Sequence, residues 1–379
     1  MTNTKSTGSD IRPFRVEIPQ ADIDDLNERL ARTRLPQPAP GDDWDYGTPN
    51  SYLADAVAEW RSRFDWRAQE TRMNEFPHYL TEIDGQTVHF IHVPSKEKDA
   101  TPLLLTHTYP GSFVDFLDVI GPLTDPVAHG GRAEDAFSVV VPSIPGFGFS
   151  TPLVERSWTM ARVASTFDVL MRRLGYESYG SHGSDAGAMV SRELGLLEPT
   201  GFLGMHVLQL FSFPSGDPAE FENLQPKDYA ALEFMQWFQA HAGFSAISAS
   251  RPQTLAVGLS DSPVGQLAWN ELFNNFGNGT SLVSLEQILT EVSLYWFTNT
   301  SATAARFYYE EAKAAAEPRV NSARTGVAVF QDDFRSVRSF ADRDNSNIVH
   351  WSEFERGGHF AALEVPDVLV GDIRRFFVR

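Results

Sequence analysis

The chain has 379 residues, a formal net charge of −19, 42% apolar and 12% aromatic residues, and no cysteine. The missing thiols exclude disulfides, thiolate catalysis and cysteine-based zinc sites, and the negative charge opposes nucleic acid and anionic membranes. The length suits one large domain with an insertion or two domains, and no apolar run approaches the ~20 residues of a membrane span.

Residues 1–12 read as a polar leader without the apolar stretch of a secretion signal, so a soluble cytoplasmic protein is expected. Ile23, Leu26 and Leu30 recur at helical spacing within residues 21–34, a stretch that ends before Pro36. Residues 37–50 are rich in Pro, Gly and Asp and form an irregular arm, and a helix is expected over 51–64. From Tyr79 the period changes to two, with residues 79–83 and 87–93 alternating around a turn at Asp84-Gly85. The apolar runs 103–105 and 139–141 suit buried parallel strands, although apolarity alone also suits a helix core. Residues 157–174 place Val163, Phe167, Leu170, Met171 and Leu174 on one helical face, and Gly175 ends the helix.

A strand over 179–182 then runs into Gly183, and residues 213–319 turn helical, with aromatic clusters and no clear strand. Strand-like runs return at 327–330 and 348–351, and a last helix covers 367–377. This alternation predicts an α/β fold with a mostly parallel sheet. A core of residues 79–212 and 320–379 is interrupted by a helical lid at 213–319 and preceded by an N-terminal segment, 1–78.

Where that strand should turn into a helix stands Gly183-Ser184-Asp185-Ala186-Gly187. A nucleophile on so sharp a turn needs small residues two positions to either side, and both are glycine. The central residue is an aspartate, and Ser184 is off centre. A carboxylate can displace a leaving group at saturated carbon and form an ester that water cleaves at the acyl carbon. A serine would form an ether instead. The arrangement therefore points to opening of an epoxide or a carbon–halogen bond. The competing reading is a glycine-rich turn with a helix-capping aspartate.

Downstream partners favour chemistry. His359 follows Gly357-Gly358 after a strand-like run, where it can project into a cleft. Asp333 lies just past the strand ending near Phe330 and can accept the Nδ1 proton, leaving Nε2 as base; Asp332 is its rival. The order nucleophile, acid, histidine is that of α/β-hydrolase triads. His182, beside the elbow, reads as a packed core residue. After the strand ending at Thr106, residues 107–111 (His-Thr-Tyr-Pro-Gly) form a turn that can aim the Tyr109 N–H into the site. The Ala186 N–H is its partner in an oxyanion hole. Pro110 holds the turn, with a cis bond open to it. His89 and His92 fall on opposite faces of a strand and make a poor metal pair. The reading needs no cofactor and no metal.

At these residues the chain resembles the epoxide hydrolases of the microsomal and juvenile-hormone type, including bacterial members of natural-product pathways. The resemblance rests on Pro13-Phe14-Arg15-Val16 through Pro36, which looks like that branch's N-terminal meander, and on the loop Ile144-Pro145-Gly146-Phe147-Gly148-Phe149-Ser150. It rests also on the lid segment Ser260-Asp261-Ser262-Pro263-Val264-Gly265 and on Arg356-Gly357-Gly358-His359-Phe360-Ala361-Ala362 through Pro366. It implies an α/β-hydrolase fold without the microsomal membrane anchor, with Asp185 as nucleophile, His359 as water-activating base and Asp333 as acid. It also implies that lid tyrosines protonate the epoxide oxygen, Tyr308 among them, because a phenol of pKa about 10 can neutralise a poor alkoxide leaving group.

Three positions depart from the pattern. Phe244 stands for the second lid tyrosine, Thr108 for a glycine and Ala186 for a tryptophan. Phe244, Thr108 and Pro110 are expected to line the substrate pocket, and Ala186 leaves room for a bulky or aromatic epoxide. The expected partners are the epoxide and water, with a homodimer left open. Two other readings stand beside this one. A dehalogenase would need tryptophan halide donors, which the alanine at 186 argues against; a non-catalytic ligand-binding relative would have kept Asp185, Asp333 and His359 without a task.

Overall fold

The computed structural model describes residues 10–280, 282–314 and 319–378, so the first nine residues of the expected leader lie outside the described residues. Among the described residues nine strands form one sheet in the order β1-β2-β3-β5-β4-β6-β7-β8-β9. They are β1 (Arg12–Phe14), β2 (His78–Ile83), β3 (Gln86–Val93), β4 (Thr101–Thr106), β5 (Phe137–Pro142), β6 (Tyr179–Gly183), β7 (Phe202–Val207), β8 (Thr325–Asp332) and β9 (Ile348–Gly358). The first four strands of that order pair antiparallel. From β5 to β9 every pairing is parallel. Parallel strands bury both faces, and β5 is buried at every position.

The sheet differs from the expected one at two places. Arg12, assigned to the leader, begins an edge strand that pairs with β2. Strand β7 carries Gly204 and His206 in place of an apolar run, which hid it from a periodicity reading.

Helices α1 (Gln20–Ala31), α2 (Asn50–Ser62) and α3 (Trp66–Met73) make the N-terminal arm, and α4 (Leu117–Thr124), α5 (Met160–Arg173) and α6 (Ala186–Leu197) cover the sheet. Helix α5 starts three residues later than the apolar pattern suggests, because the Thr159 hydroxyl caps it by accepting from the Arg162 N–H at 3.4 Å. The lid comprises α7 (Pro226–His241), α8 (Gly243–Ser250), α9 (Pro252–Asp261), α10 (Pro263–Trp269), α11 (Leu285–Thr298) and α12 (Ser301–Lys313). Helices α13 (Arg338–Asp344), α14 (Ala361–Glu364) and α15 (Pro366–Phe377) complete the core. No helix among the described residues is long and apolar enough to cross a membrane.

The arm ties lid to core. Leu26, Leu30, Leu53 and Trp60 pack in one cluster with Val264, Leu267 and Val292 of the lid and with Phe360, next to His359. Arg29 donates to Asp261 at the end of α9, and the Trp60 indole donates to Ser293 of α11 at 3.1 Å. On the opposite side Asp372 of α15 accepts from His206 at 2.9 Å, His350 at 3.0 Å, Ser352 at 2.7 Å and Arg375 at 2.8 Å. His182 contacts His206 through its Nδ1 at 2.9 Å. It is thus a packed residue below the elbow, as expected.

The turn after β6 is tight enough to require both glycines. A Cβ on Gly183 would lie 2.1 Å from the Gly187 oxygen, and one on Gly187 would lie 2.0 Å from the Thr106 oxygen. Gly187→Ala should therefore lower stability by about 1–3 kcal/mol through overpacking, read from the urea midpoint. An unchanged midpoint would mean that the elbow has slack.

Candidate active site

The C-terminal ends of β4, β6, β8 and β9 converge on one point, the usual place for a site in an open parallel sheet. Asp185 sits at the β6–α6 bend with φ 49° and ψ −114°, a conformation disfavoured for any residue with a Cβ. It is held there by both ends. Its own N–H donates to the Gln209 side-chain oxygen at 2.7 Å, and its Oδ2 accepts from the Tyr109 N–H at 3.1 Å. The Ala186 N–H also favours the charged form of the carboxylate. The two expected oxyanion donors therefore both lower the Asp185 carboxyl, at the start of a helix whose dipole favours negative charge.

His359 follows β9 and is 6% exposed. Its Nδ1 lies 2.8 Å from Oδ1 of Asp333, which is 2% exposed. Asp332, the rival, is the last residue of β8 and faces solvent. The loop around His359 is clamped by Glu364, which accepts from the N–H groups of Gly358 and Phe360. Two further contacts join the halves of the site. The Ser184 hydroxyl donates to the His359 carbonyl at 3.0 Å, and Gln209 donates through Nε2 to Asp333 Oδ2. Gln209 thus spans the Asp185 backbone and the Asp333 carboxylate. Nothing in the sequence singled it out, because it lies 124 positions from Asp333.

The charges interlock. Burial tends to strip the proton from His359, but the charge and hydrogen bond of Asp333, with the charge of Asp185, outweigh it and raise the imidazole to about 9. Burial raises the Asp185 carboxyl, while His359 and the two N–H donors oppose the rise. At neutral pH His359 is therefore an imidazolium. A histidine raised this way contributes stability that is complete below its unfolded pKa of about 6.5 and disappears as pH rises through about 9.

The remaining predicted residues fall into two groups. Tyr308, on α12, and Phe244, on α8, stand with Tyr109: ring centroids are 5.0 Å apart for Tyr109–Tyr308, 6.1 Å for Tyr109–Phe244 and 5.9 Å for Phe244–Tyr308. Burial and the Asp185 charge push the Tyr308 phenol well above its ordinary value, so it keeps its proton for donation. Phe276 meets the His359 ring at 4.9 Å and Phe238 at 5.3 Å, and Phe238 meets Phe244 at 6.2 Å. An aromatic wall therefore runs from His359 to Tyr308.

Thr108 donates its hydroxyl to Asp115 at 2.8 Å and lines a small internal cavity with Ser184 and His359. The Tyr109-Pro110 bond is cis. His107 accepts from the Ile144 N–H at 3.0 Å, so the 144–150 loop packs directly on the 107–111 turn.

If Asp185 sustains the His359 proton, Asp185→Asn should move the imidazole pKa downward from about 9. An NMR titration of His359 reads this, and an unmoved pKa would show that the two groups are uncoupled.

The comparisons agree with this architecture. Residues 11–116 match the family model described as epoxide hydrolase N terminus, and residues 101–266 match that of the alpha/beta hydrolase fold. A Stigmatella aurantiaca protein provisionally designated an epoxide hydrolase is 42% identical over 374 residues, covering 97% of this chain and 84% of that protein. Epoxide hydrolase 1 of Sus scrofa is 33% identical over 407 residues, covering 97% and 88%. The crystal structure of juvenile hormone epoxide hydrolase from the silkworm Bombyx mori matches with a TM-score of 0.87 at 26% identity, covering 97% of this chain and 93% of that one.

Proposed function

The chain belongs to the epoxide hydrolases of the α/β-hydrolase fold, which add water to an epoxide to give a vicinal diol, and we propose that Asp185, His359, Asp333 and Tyr308 carry the reaction. The observation that supports this assignment most is the Asp185 carboxylate held by the Tyr109 N–H at 3.1 Å beside the His359–Asp333 pair.

In the first step a carboxylate oxygen of Asp185 attacks one epoxide carbon. The carbon–oxygen bond of the ring breaks, and Tyr308 gives its proton to the departing alkoxide. In the second step a water loses a proton to His359 and adds to the acyl carbon of the ester. The N–H groups of Tyr109 and Ala186 stabilise the oxyanion. Collapse releases the diol, restores the carboxylate and returns the proton to the Tyr308 phenolate. The electrostatics support this order of events. Once Asp185 is esterified its charge is gone and one of the two carboxylates raising His359 is removed, so the imidazolium releases its proton to solvent water and becomes a base; a proton taken back from solvent closes the cycle.

The aromatic wall of Phe238, Phe244, Phe276, Tyr109 and Tyr308 supports an apolar, aromatic epoxide as substrate. Phe244 cannot donate, so proton delivery to the alkoxide rests mainly on Tyr308 or on another group of the pocket. The indole N–H of Trp269 is engaged by the Tyr109 hydroxyl at 3.0 Å, which leaves it a poor halide donor for a dehalogenase.

A single turnover in heavy-oxygen water should place label in the Asp185 peptide and leave the first diol unlabelled. Label in the first diol would mean direct attack by water. Tyr308→Phe should lower kcat/KM for an aryl epoxide by roughly 100-fold or more, and Phe244→Tyr should raise it. A Tyr308→Phe enzyme of normal activity would remove the phenol from the mechanism.

A further inference from the structure

Behind the loop that carries Tyr109 lies a pair of acids for which the reaction has no direct use. Asp115 is 2% exposed and Glu291, on lid helix α11, is fully buried. Asp115 Oδ2 accepts both the N–H of Thr108, at 3.1 Å, and its hydroxyl, at 2.8 Å. The loop packs so closely here that a Cβ on Gly111 would lie 2.4 Å from Asp115 Oδ2. Glu291 faces Asp115 and Ser112, yet among the described residues no N–H or hydroxyl forms a full hydrogen bond to either of its oxygens, nor to Asp115 Oδ1. Two carboxylates in buried contact cannot both be ionised, and one proton shared between them turns a repulsion into a hydrogen bond. One turn further along α11, the Tyr295 hydroxyl donates to the Gly111 carbonyl at 3.1 Å. The lid helix therefore grips the loop at two points.

We propose that Glu291, as a carboxyl donating its proton to Asp115, is a positioning residue that holds residues 108–111 so that the Tyr109 N–H meets Asp185. Burial and then the Asp115 charge push Glu291 well above the ordinary carboxyl range. Burial raises Asp115 only to about 6, because both Thr108 donors favour its charged form. The proton therefore resides on Glu291. The titratable neighbours of the pair are His359, Tyr295 on the same helix, and His182 across the small cavity behind the loop. Raising the pH until Glu291 ionises sets two negative charges against each other and frees the loop.

The inference rests on Asp185 as nucleophile, so wild-type enzyme turning over an aryl epoxide such as styrene oxide is measured alongside. Without wild-type turnover the functional reading fails; with it, the variants test the positioning role alone. Glu291→Ala should lower kcat at least 10-fold and make the ester intermediate accumulate, seen in intact mass as the protein plus one substrate. Glu291→Gln, which always donates, should recover most of kcat and lose the fall at alkaline pH that Glu291 ionisation imposes on wild type. The proposal is overturned if folded Glu291→Ala keeps kcat within threefold, if no adduct builds up in it, or if Glu291→Gln performs no better than the alanine variant.

Discussion

A negative charge held at a sharp bend governs this structure. Taking a carboxylate out of water costs several kcal/mol, and the Asp185 backbone conformation adds roughly 1–3 kcal/mol of strain. The fold offsets both with three neighbours: the Tyr109 N–H, the Ala186 N–H at the start of α6, and the His359 imidazolium. Each comes from the end of a different strand or the helix after it, so the carboxylate is tolerable only when β4, β6 and β9 are all in register. The same arrangement makes the charge reactive. It is poorly solvated and aimed, and under the proposed mechanism its loss on esterification alters the partner that acts next.

The sheet alone does not complete the site. Tyr308 and Phe244 come from lid helices, and the 108–111 turn is held from behind by Asp115 in the core and by Glu291 and Tyr295 in the lid. The N-terminal arm enters this circuit through Arg29 at α9, Trp60 at α11 and the cluster that includes Phe360. An arm far from the reacting atoms thereby sets how firmly the lid sits over Asp185, which gives a physical reason for it to accompany this kind of lid.

Much of the core site was legible because its signals are local. The glycines at 183 and 187 flank the bend within five residues, and their need is confirmed by backbone atoms that a Cβ would strike. Asp333 and His359 each follow a strand, and Asp333 rather than Asp332 meets the imidazole, because a register shift at the end of β8 leaves Gln331 and Asp332 both exposed while Asp333 turns inward. What escaped was non-local. Gln209 works through partners 24 and 124 positions away, and Glu291 matters only because the lid folds α11 against the 108–111 turn. The bond from the Thr108 hydroxyl to Asp115, seven residues on, was equally hidden from a reading by period. The edge strand at Arg12, and strand β7 with Gly204 and His206 interrupting its apolar residues, lack the apolar period on which such reading depends.

The most direct test is to stop the reaction between its two halves. His359→Gln keeps the side chain polar but removes the base, so a stoichiometric aryl epoxide should leave a stable ester that peptide mapping assigns to Asp185. Adduct at Asp185, absent in Asp185→Asn, is the predicted result. A His359→Gln enzyme that releases diol with no covalent species, or that carries its adduct on another residue, would contradict the account.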